Sequence, residues 1–286
     1  RTWSLLARQR AVAVASEGAL DLARQAESSS DPAGDRHWRV DLDYLGFSGV
    51  GVEAGQHLDL GGGWQADFAV QGLSLQRLTE RHLHGEAAYR ASDQTYRADL
   101  QSREADNRMT FPFQQPVAGH GTALLLQGGV RWQSEGGMGD WQVDLRWRDA
   151  GWLRWRGLPQ QDAALSTDLQ AVDADGFVVY RPLVEGRNRQ PTYRRTLAPI
   201  TDAALAWRSP SLGQFHAGFT WLPGWGALPK VGWQRPVGRE AVVSLDWRVH
   251  ERRAELGVSV GAWTWRLASD GRSASRSSAF GLVWKP

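Results

Sequence analysis

The most constraining feature of this chain is a two-residue alternation of apolar and polar side chains that begins at Trp38 and recurs almost to the end of the sequence. It is clearest at residues 38–44, 141–148 and 241–250. Successive side chains of a strand point to opposite faces of a sheet, so each run predicts a strand with one apolar and one charged face. Turn residues such as Ser209-Pro210-Ser211 separate the runs. The sequence therefore predicts an all-β chain built as an antiparallel, up-and-down sheet.

The first part of the chain does not show this alternation. Residues 1 to about 28 mix Leu, Ala and Val with Arg, Gln and Glu and contain no Pro, a pattern that predicts an α-helix. The segment from Ser28 to Gly34 then breaks it. We interpret residues 1–34 as an N-terminal helix and linker, serving as a plug or a periplasmic element, and residues 37–286 as one β-barrel domain.

Alternation alone fits both a soluble sandwich, whose apolar face points inward, and a membrane barrel, whose apolar face points to lipid. The chain has 16 Trp, and many aromatic residues fall near the ends of the alternating runs. A buried indole needs a partner for its N–H, whereas a membrane interface accepts an apolar ring with a hydrated N–H. This favours a transmembrane barrel, with interface anchors at Trp38, Trp141, Trp147, Trp221, Trp247 and Trp284.

The size of the barrel follows from the number of alternating segments, which is about 12 in this sequence. Several of them approach the 9 to 11 residues or so that a tilted membrane strand requires. A barrel of this size has a narrow lumen that long charged side chains nearly fill. The charged rows supply the candidate pore-lining residues, which are Arg39, Asp41, Asp43, Asp144, Arg146, Arg148, Asp246 and Arg248.

The last strand adds a resemblance to a known class of proteins. The segment from Ser278 to Trp284 alternates apolar residues and ends on an aromatic one. It resembles the C-terminal β-signal of Gram-negative outer-membrane barrels, although Lys285 and Pro286 follow the aromatic residue, where that class normally ends. The resemblance implies an outer-membrane location reached after removal of a signal peptide. It also implies contact with outer-membrane lipid and lipopolysaccharide, and with other envelope proteins.

Catalytic and metal-binding patterns are weak in this sequence. The chain has no Cys, which excludes disulfides and thiolate metal sites. His82 and His84 share one strand face, but no third ligand is spaced near them. Asp246 and His250 also share a face, yet four residues along a strand separate them by about 13 Å. We therefore expect no catalytic residues, no metal and no cofactor.

The basic residues give a second signal. A segment rich in Arg, with Arg181, Arg187, Arg189, Arg194 and Arg195, is interrupted by Pro and predicts a loop that binds an anionic group or remains solvated. Nucleic acid is excluded as a partner because acidic residues are interleaved throughout and the net charge is only +2.

The sequence thus predicts an outer-membrane barrel that acts as a narrow or plugged pore, or as a structural subunit of an envelope assembly, and more readily a non-enzyme than an enzyme. Two alternatives stay open. One is an outer-membrane hydrolase acting on lipid or peptide, with His82, His84 or His250 as base. The other is a soluble, Trp-rich β-sandwich that acts as a binding module.

Overall fold

A computed structural model of the chain describes residues 1–28, 30–112, 119–134, 136, 139–167, 170–172, 178–180, 183–238, 240–269 and 278–284. This part of the chain is all-β with a single helix, α1, at Glu17–Glu27. The strands are β1 Thr2–Ala15, β2 Arg36–Gly61, β3 Trp64–Arg90, β4 Thr95–Asp106, β5 Gly121–Ser134, β6 Asp140–Trp155, β7 Gln160–Ser166, β8 Gln170–Val172, β9 Val178–Tyr180, β10 Val184–Arg189, β11 Tyr193–Leu197, β12 Ile200–Ser209, β13 Gly213–Leu222, β14 Gly226–Val237, β15 Ala241–Arg248, β16 Arg253–Val260, β17 Trp263–Ser269 and β18 Ser278–Trp284.

The described helix does not meet the length and hydropathy that a membrane-crossing helix requires.

One continuous antiparallel path, which we call the meander, runs through most of the sheet. Its order is β1, β2, β3, β5, β6, β12, β13, β14, β15, β16, β17 and β18. The predicted antiparallel, up-and-down sheet is confirmed. The predicted number of strands, about 12, equals the number of strands in this path, whereas the described residues form 18 strand segments in all. Within the described residues, the outermost strands β1 and β18 each pair with one neighbour.

A second branch of the sheet, which we call the arm, leaves the meander at β3. Strand β3 has 27 residues: its first half pairs with β5 and its second half, from Thr79 to Arg90, pairs with β4. The arm then continues through β7 to β10. Strand β2 has 26 residues, which corresponds to about 85 Å of extended chain. The β2–β3 hairpin therefore extends well beyond the other meander strands.

The N-terminal segment differs from the prediction of a helix at residues 1–28. Thr2–Ala15 is a strand that pairs with β2 along its whole length, and only Glu17–Glu27 is helical. On β1, Leu6, Arg8 and Arg10 are half-buried on one face, whereas the intervening residues are exposed on the other. The helix prediction was wrong for this stretch because pairing with β2 supplies hydrogen bonds and a packing surface that local helix propensity does not anticipate.

Helix α1 packs on the arm. Ser16 caps it by accepting a hydrogen bond from the Ala19 backbone N–H, and the same hydroxyl donates to the Arg39 carbonyl of β2. The apolar residues of α1 cover a small core built on Trp38 and Val40. The helix thus lies against one face of β2. Whether it plugs a lumen stays a prediction.

The larger core lies on the opposite face of the β2–β3 hairpin, where the meander and the arm meet. Its most completely buried side chains are Phe47, Leu78, Leu125, Leu153 and Leu158. A register shift between Ser48 and Gly49 marks this level of the hairpin. The shift arises because β3 carries one extra residue there, Gln76, which has no partner on β2.

The sheet is strongly curled, and its two ends differ. At the turn end, short connections such as 61–64 and 209–213 join the meander strands. At the arm end, the β13–β14 turn reaches across to β1, where the Trp225 Nε1–H donates to the Ala13 carbonyl at 3.4 Å. The meander order places six strand steps between β1 and β13. This contact therefore spans the concave side of the sheet.

Candidate functional site: the polar concave face

The two faces of the meander have opposite chemistry. On β13, Phe215, Phe219 and Trp221 are 39–49% exposed on the convex face, whereas His216 and Thr220 are half-buried on the concave face. The same pattern holds on the meander strands β5, β6 and β12 to β17. We call the convex surface the apolar belt, whose exposed members include Val52, Phe68, Val70, Leu126, Trp141, Val143, Leu145, Leu205, Phe215, Phe219, Trp221, Val231, Leu245, Trp247, Leu256, Trp263, Trp265 and Leu267.

Tryptophans are concentrated at both margins of the apolar belt. Near the turn end, Trp64 lies 6.1 Å from Trp132 and Trp141 lies 6.3 Å from Trp207, measured between ring centroids. Toward the arm end a second group is formed by Trp147, Trp152, Trp221 and Trp247. The six residues from Trp141 to Trp147 correspond to about 20 Å along a strand. Leu, Val and Phe side chains fill the interval.

Ion pairs line the concave face, which we call the polar face. Arg131 donates to Asp144 at 2.7 Å between neighbouring strands β5 and β6. Asp202 accepts hydrogen bonds from Arg148 at 2.8 Å and from the Thr220 hydroxyl at 2.6 Å. Because charges of both signs alternate, most cations on this face have a neighbouring carboxylate.

At the arm-end side of the polar face, charges join strands that are not neighbours in the sheet. Arg8 and Arg10 of β1 both pair with Asp149 of β6, the second through Nη1 and Oδ2 at 3.2 Å. Arg8 also donates to Gln71 at 2.9 Å. The side chain of Asp149 is only 5% exposed. We call this group the cross-sheet latch, because it holds the edge strand β1 against the opposite wall.

Glu80 anchors a second buried charge cluster, where the arm meets the meander. Its carboxylate accepts hydrogen bonds from the Tyr193 hydroxyl at 3.0 Å and from the Arg195 guanidinium. His82 lies 3.2 Å from the same carboxylate, and Arg195 also reaches Asp43 at 3.3 Å. The cluster therefore links β2, β3 and β11.

The predicted pore-lining residues fall into two groups. Five of them lie on the polar face of the meander, namely Asp144, Arg146, Arg148, Asp246 and Arg248. Arg39, Asp41 and Asp43 instead lie in the half of β2 that pairs with the arm portion of β3, opposite Glu86, His84 and His82. These three residues are therefore beyond the level of the apolar belt, although Asp43 contributes to the Glu80 cluster.

The predicted interface anchors also differ in their surroundings. Trp141, Trp221 and Trp247 are 41–49% exposed in the apolar belt, and Trp147 is half-buried there. Trp38 is only 6% exposed because α1 covers it. The sequence does not reveal this burial, because it does not show that a helix packs on this strand. The side chain of Trp284 lies outside the described residues.

Within the described residues, the histidines considered as bases are not hydrogen-bonded to a nucleophile. The imidazole nitrogens of His82 lie 3.5 Å from Asp43 and 3.2 Å from Glu80, and the ring of His250 lies edge-on to Trp225 with centroids 6.4 Å apart. In the described part of the chain, no histidine is hydrogen-bonded to a serine or threonine hydroxyl, and no group of three or more potential ligands is arranged to hold a metal.

The structure also pairs Asp246 with a histidine that sequence reasoning missed. His216 Nε2 lies 2.7 Å from Asp246 Oδ1, although β13 and β15 are separated by β14. The two residues share one cross-strand row with Gly232 between them, and a Cβ at Gly232 would collide with both side chains. The sequence does contain one indication of this pair, namely a glycine that lies between the histidine and the aspartate in one cross-strand row. This indication can be recognised only when the strand register is known.

The predicted Arg-rich loop is largely folded as strands. Val184–Arg189 is β10 and Tyr193–Leu197 is β11, and Arg195 belongs to the buried Glu80 cluster. Arg181 lies outside the described residues. Residues 173–177, which connect β8 and β9, also lie outside them, although these two strands pair with each other.

Comparisons with protein-family models, curated proteins and solved structures found no significant match to this chain.

Proposed function

We propose that this chain is an outer-membrane β-barrel of twelve strands whose interior is closed by its own side chains. In this role it is a membrane-anchored structural subunit of the Gram-negative envelope rather than an open diffusion pore. The proposal combines three elements: a lipid-facing convex surface, closure of the sheet between its two edge strands, and an occluded interior. Outer-membrane lipid and other envelope proteins are its proposed partners.

The opposite chemistry of the two faces is the observation that carries the proposal. A water-soluble protein seldom exposes a contiguous apolar patch larger than a few hundred Å². Here the exposed apolar side chains run over neighbouring strands from β5 to β17, while the polar residues point to the concave side. A soluble sandwich would have the reverse arrangement, because its apolar residues would face each other.

The two margins of tryptophan support the same assignment. Transmembrane barrels carry an apolar band of about 25 Å flanked by aromatic girdles. On β6, Trp141 and Trp152 are eleven residues apart, which is about 35 Å of strand. At the tilt of about 40° that such barrels have, this corresponds to a height of about 25 Å, and Leu, Val and Phe side chains fill the wall between the two tryptophan margins. The indoles are then placed where their N–H groups meet water and their rings meet lipid.

The arrangement at the arm end favours a closed interior over a pore. The cross-sheet latch brings β1 onto β6, and the Trp225–Ala13 hydrogen bond brings it onto the β13–β14 turn. The large apolar core fills the concave side next to them. A solute moving along the polar face would have to displace these contacts.

Migration of the protein on a detergent gel tests the barrel directly. We expect unheated samples of the purified protein to migrate faster than boiled ones, because a closed barrel resists unfolding by the detergent. We also expect the protein to stay in the membrane fraction when vesicles are washed with urea. Identical migration with and without heating, together with release by urea, would contradict the proposal.

Closure between β1 and β18 is tested by disulfide formation, for which the absence of Cys gives a clean background. We combine Leu5→Cys with a second cysteine placed in turn at each residue from Ala279 to Val283. Directly opposite residues on paired strands have Cβ atoms about 4.5 to 5.5 Å apart. This is close enough to the separation of about 3.5 to 4.5 Å in a disulfide that oxidation should cross-link at least one of the five pairs.

The matched control for this experiment is Leu5→Cys with Leu205→Cys, because β12 lies on a distant part of the meander. We expect no cross-link in the control. An absence of cross-links at all five β18 positions would indicate an open sheet.

A further inference from the structure

A row of hydrogen-bond donors crosses the convex face at the arm end. Ser74 of β3 pairs with Thr122 of β5, Thr122 pairs with Arg154 of β6, and Arg154 pairs with Arg194 of β11. All four side chains are exposed. We call this set the donor row. Residues directly opposite each other on paired strands point to the same face, so the two hydroxyls and two guanidinium groups form one continuous strip.

The two arginines of the donor row lie directly opposite each other without a counter-charge. Like charges directly opposite each other on neighbouring strands are destabilising. Most cations of the polar face have a carboxylate partner, but in the described part of the chain neither Arg154 nor Arg194 forms an ion pair. A pair of adjacent, uncompensated guanidinium groups is well suited to an anion supplied from outside the chain.

The position of the donor row identifies the source of that anion. One row closer to the turn end lie Leu124, Trp152 and Thr196, and Trp152 is 51% exposed at the margin of the apolar belt. The donor row is thus the first fully polar row beyond the belt in this part of the sheet. If the belt contacts acyl chains, the row lies at the level of the lipid head groups.

We propose that the donor row binds the phosphate of an anionic lipid head group. Arg154 and Arg194 supply forked N–H donors that match the phosphate oxygens, and Thr122 and Ser74 supply O–H donors. This inference rests on the proposed function, because it requires the apolar belt to be in a membrane.

The test uses the full chain reconstituted in phosphatidylcholine nanodiscs that contain a trace of spin-labelled lipid. The measured quantity is the association constant of labelled phosphatidic acid relative to labelled phosphatidylcholine. A basic residue near the surface contributes about a fivefold preference for an anionic lipid. We therefore expect a clear preference in the native chain, a loss of about fivefold or more in the double variant Arg154→Gln with Arg194→Gln, and partial retention in the corresponding double Lys variant.

The matched control is Arg97→Gln, since Arg97 is exposed on the arm and away from the donor row. We expect this variant to keep the native preference. Equal preference in the native chain and the double Gln variant, with heat-modifiable migration retained in both, would overturn the lipid site and leave the barrel intact. Failure of the native chain to enter nanodiscs would overturn both proposals.

A further experiment distinguishes a lipid head group from free phosphate, which offers the same chemistry. We expect inorganic phosphate at millimolar concentration to leave the lipid preference unchanged, because the lipid is held next to the row by its acyl chains. Complete displacement by inorganic phosphate would contradict a lipid site and would indicate a general phosphate site.

Discussion

Replacing Asp149 by Asn is expected to lower the free energy of unfolding by about 3 to 5 kcal/mol, since it removes one partner of a buried ion pair and leaves the other charge uncompensated. Asp149 pairs with both Arg8 and Arg10, whose side chains are 21% and 11% exposed. Asn preserves the shape of the residue and tolerates the positive φ of 64° at this position, so the substitution removes charge with little backbone strain. Chemical denaturation in detergent measures the loss.

The matched control is Asp202→Asn. Asp202 also pairs with an arginine, but its side chain is 28% exposed and that of Arg148 is 49% exposed. A pair this accessible contributes about 0 to 1 kcal/mol, so the control should remain close to native stability. Equal losses in the two variants would contradict a special role for the cross-sheet latch.

The latch substitution also has a functional consequence. If the latch keeps β1 across the concave side, its loss should raise the conductance of the protein in a planar bilayer from near zero to discrete openings. We expect Asp202→Asn to remain closed. A native protein that already conducts as a wide pore would contradict the occluded interior.

The features of the fold that could be predicted from the sequence are those that depend on the two-residue alternation of apolar and polar side chains. The alternation at 141–148 and 241–250 fixes which side chains share a face, and the structure places these runs in β6 and in β15 with the turn that follows it. The face pattern depends only on the side-chain period of a strand, which is a property of neighbouring residues.

The parts that the sequence did not predict depend on pairing between distant residues. Arg8 meets a carboxylate 141 positions away, and Tyr193 meets Glu80 at a separation of 113 positions. Residues 2–15 form a strand because β2 lies beside them, although their Ala, Leu and Arg content favours a helix. Register and curvature decide these contacts, and neither can be derived from a single run of residues.

Placing a charge in the apolar belt is the second change with a large expected effect, and it distinguishes lipid from water as the surrounding medium. Leu205 is 45% exposed on β12, next to Val143 of β6 and between the two tryptophan margins. In water, arginine at such an exposed position changes stability by about 0.5 kcal/mol or less. At the middle of a bilayer, arginine on the lipid face of a barrel costs about 2 to 4 kcal/mol.

We therefore expect Leu205→Arg to reduce folding into vesicles strongly. Thr122→Arg should lose no more than about 1 kcal/mol, because Thr122 lies in the donor row beyond the belt and the cost is limited to repulsion from Arg154 opposite it. The free energy of folding into phosphatidylcholine vesicles, measured by urea titration of tryptophan fluorescence, gives both values. If the two variants are equally stable, the convex face is not in contact with lipid, and the exposed apolar belt must be covered by protein instead. A large difference between them places Leu205 in the hydrocarbon and Thr122 at its border, which is the geometry that the donor row requires.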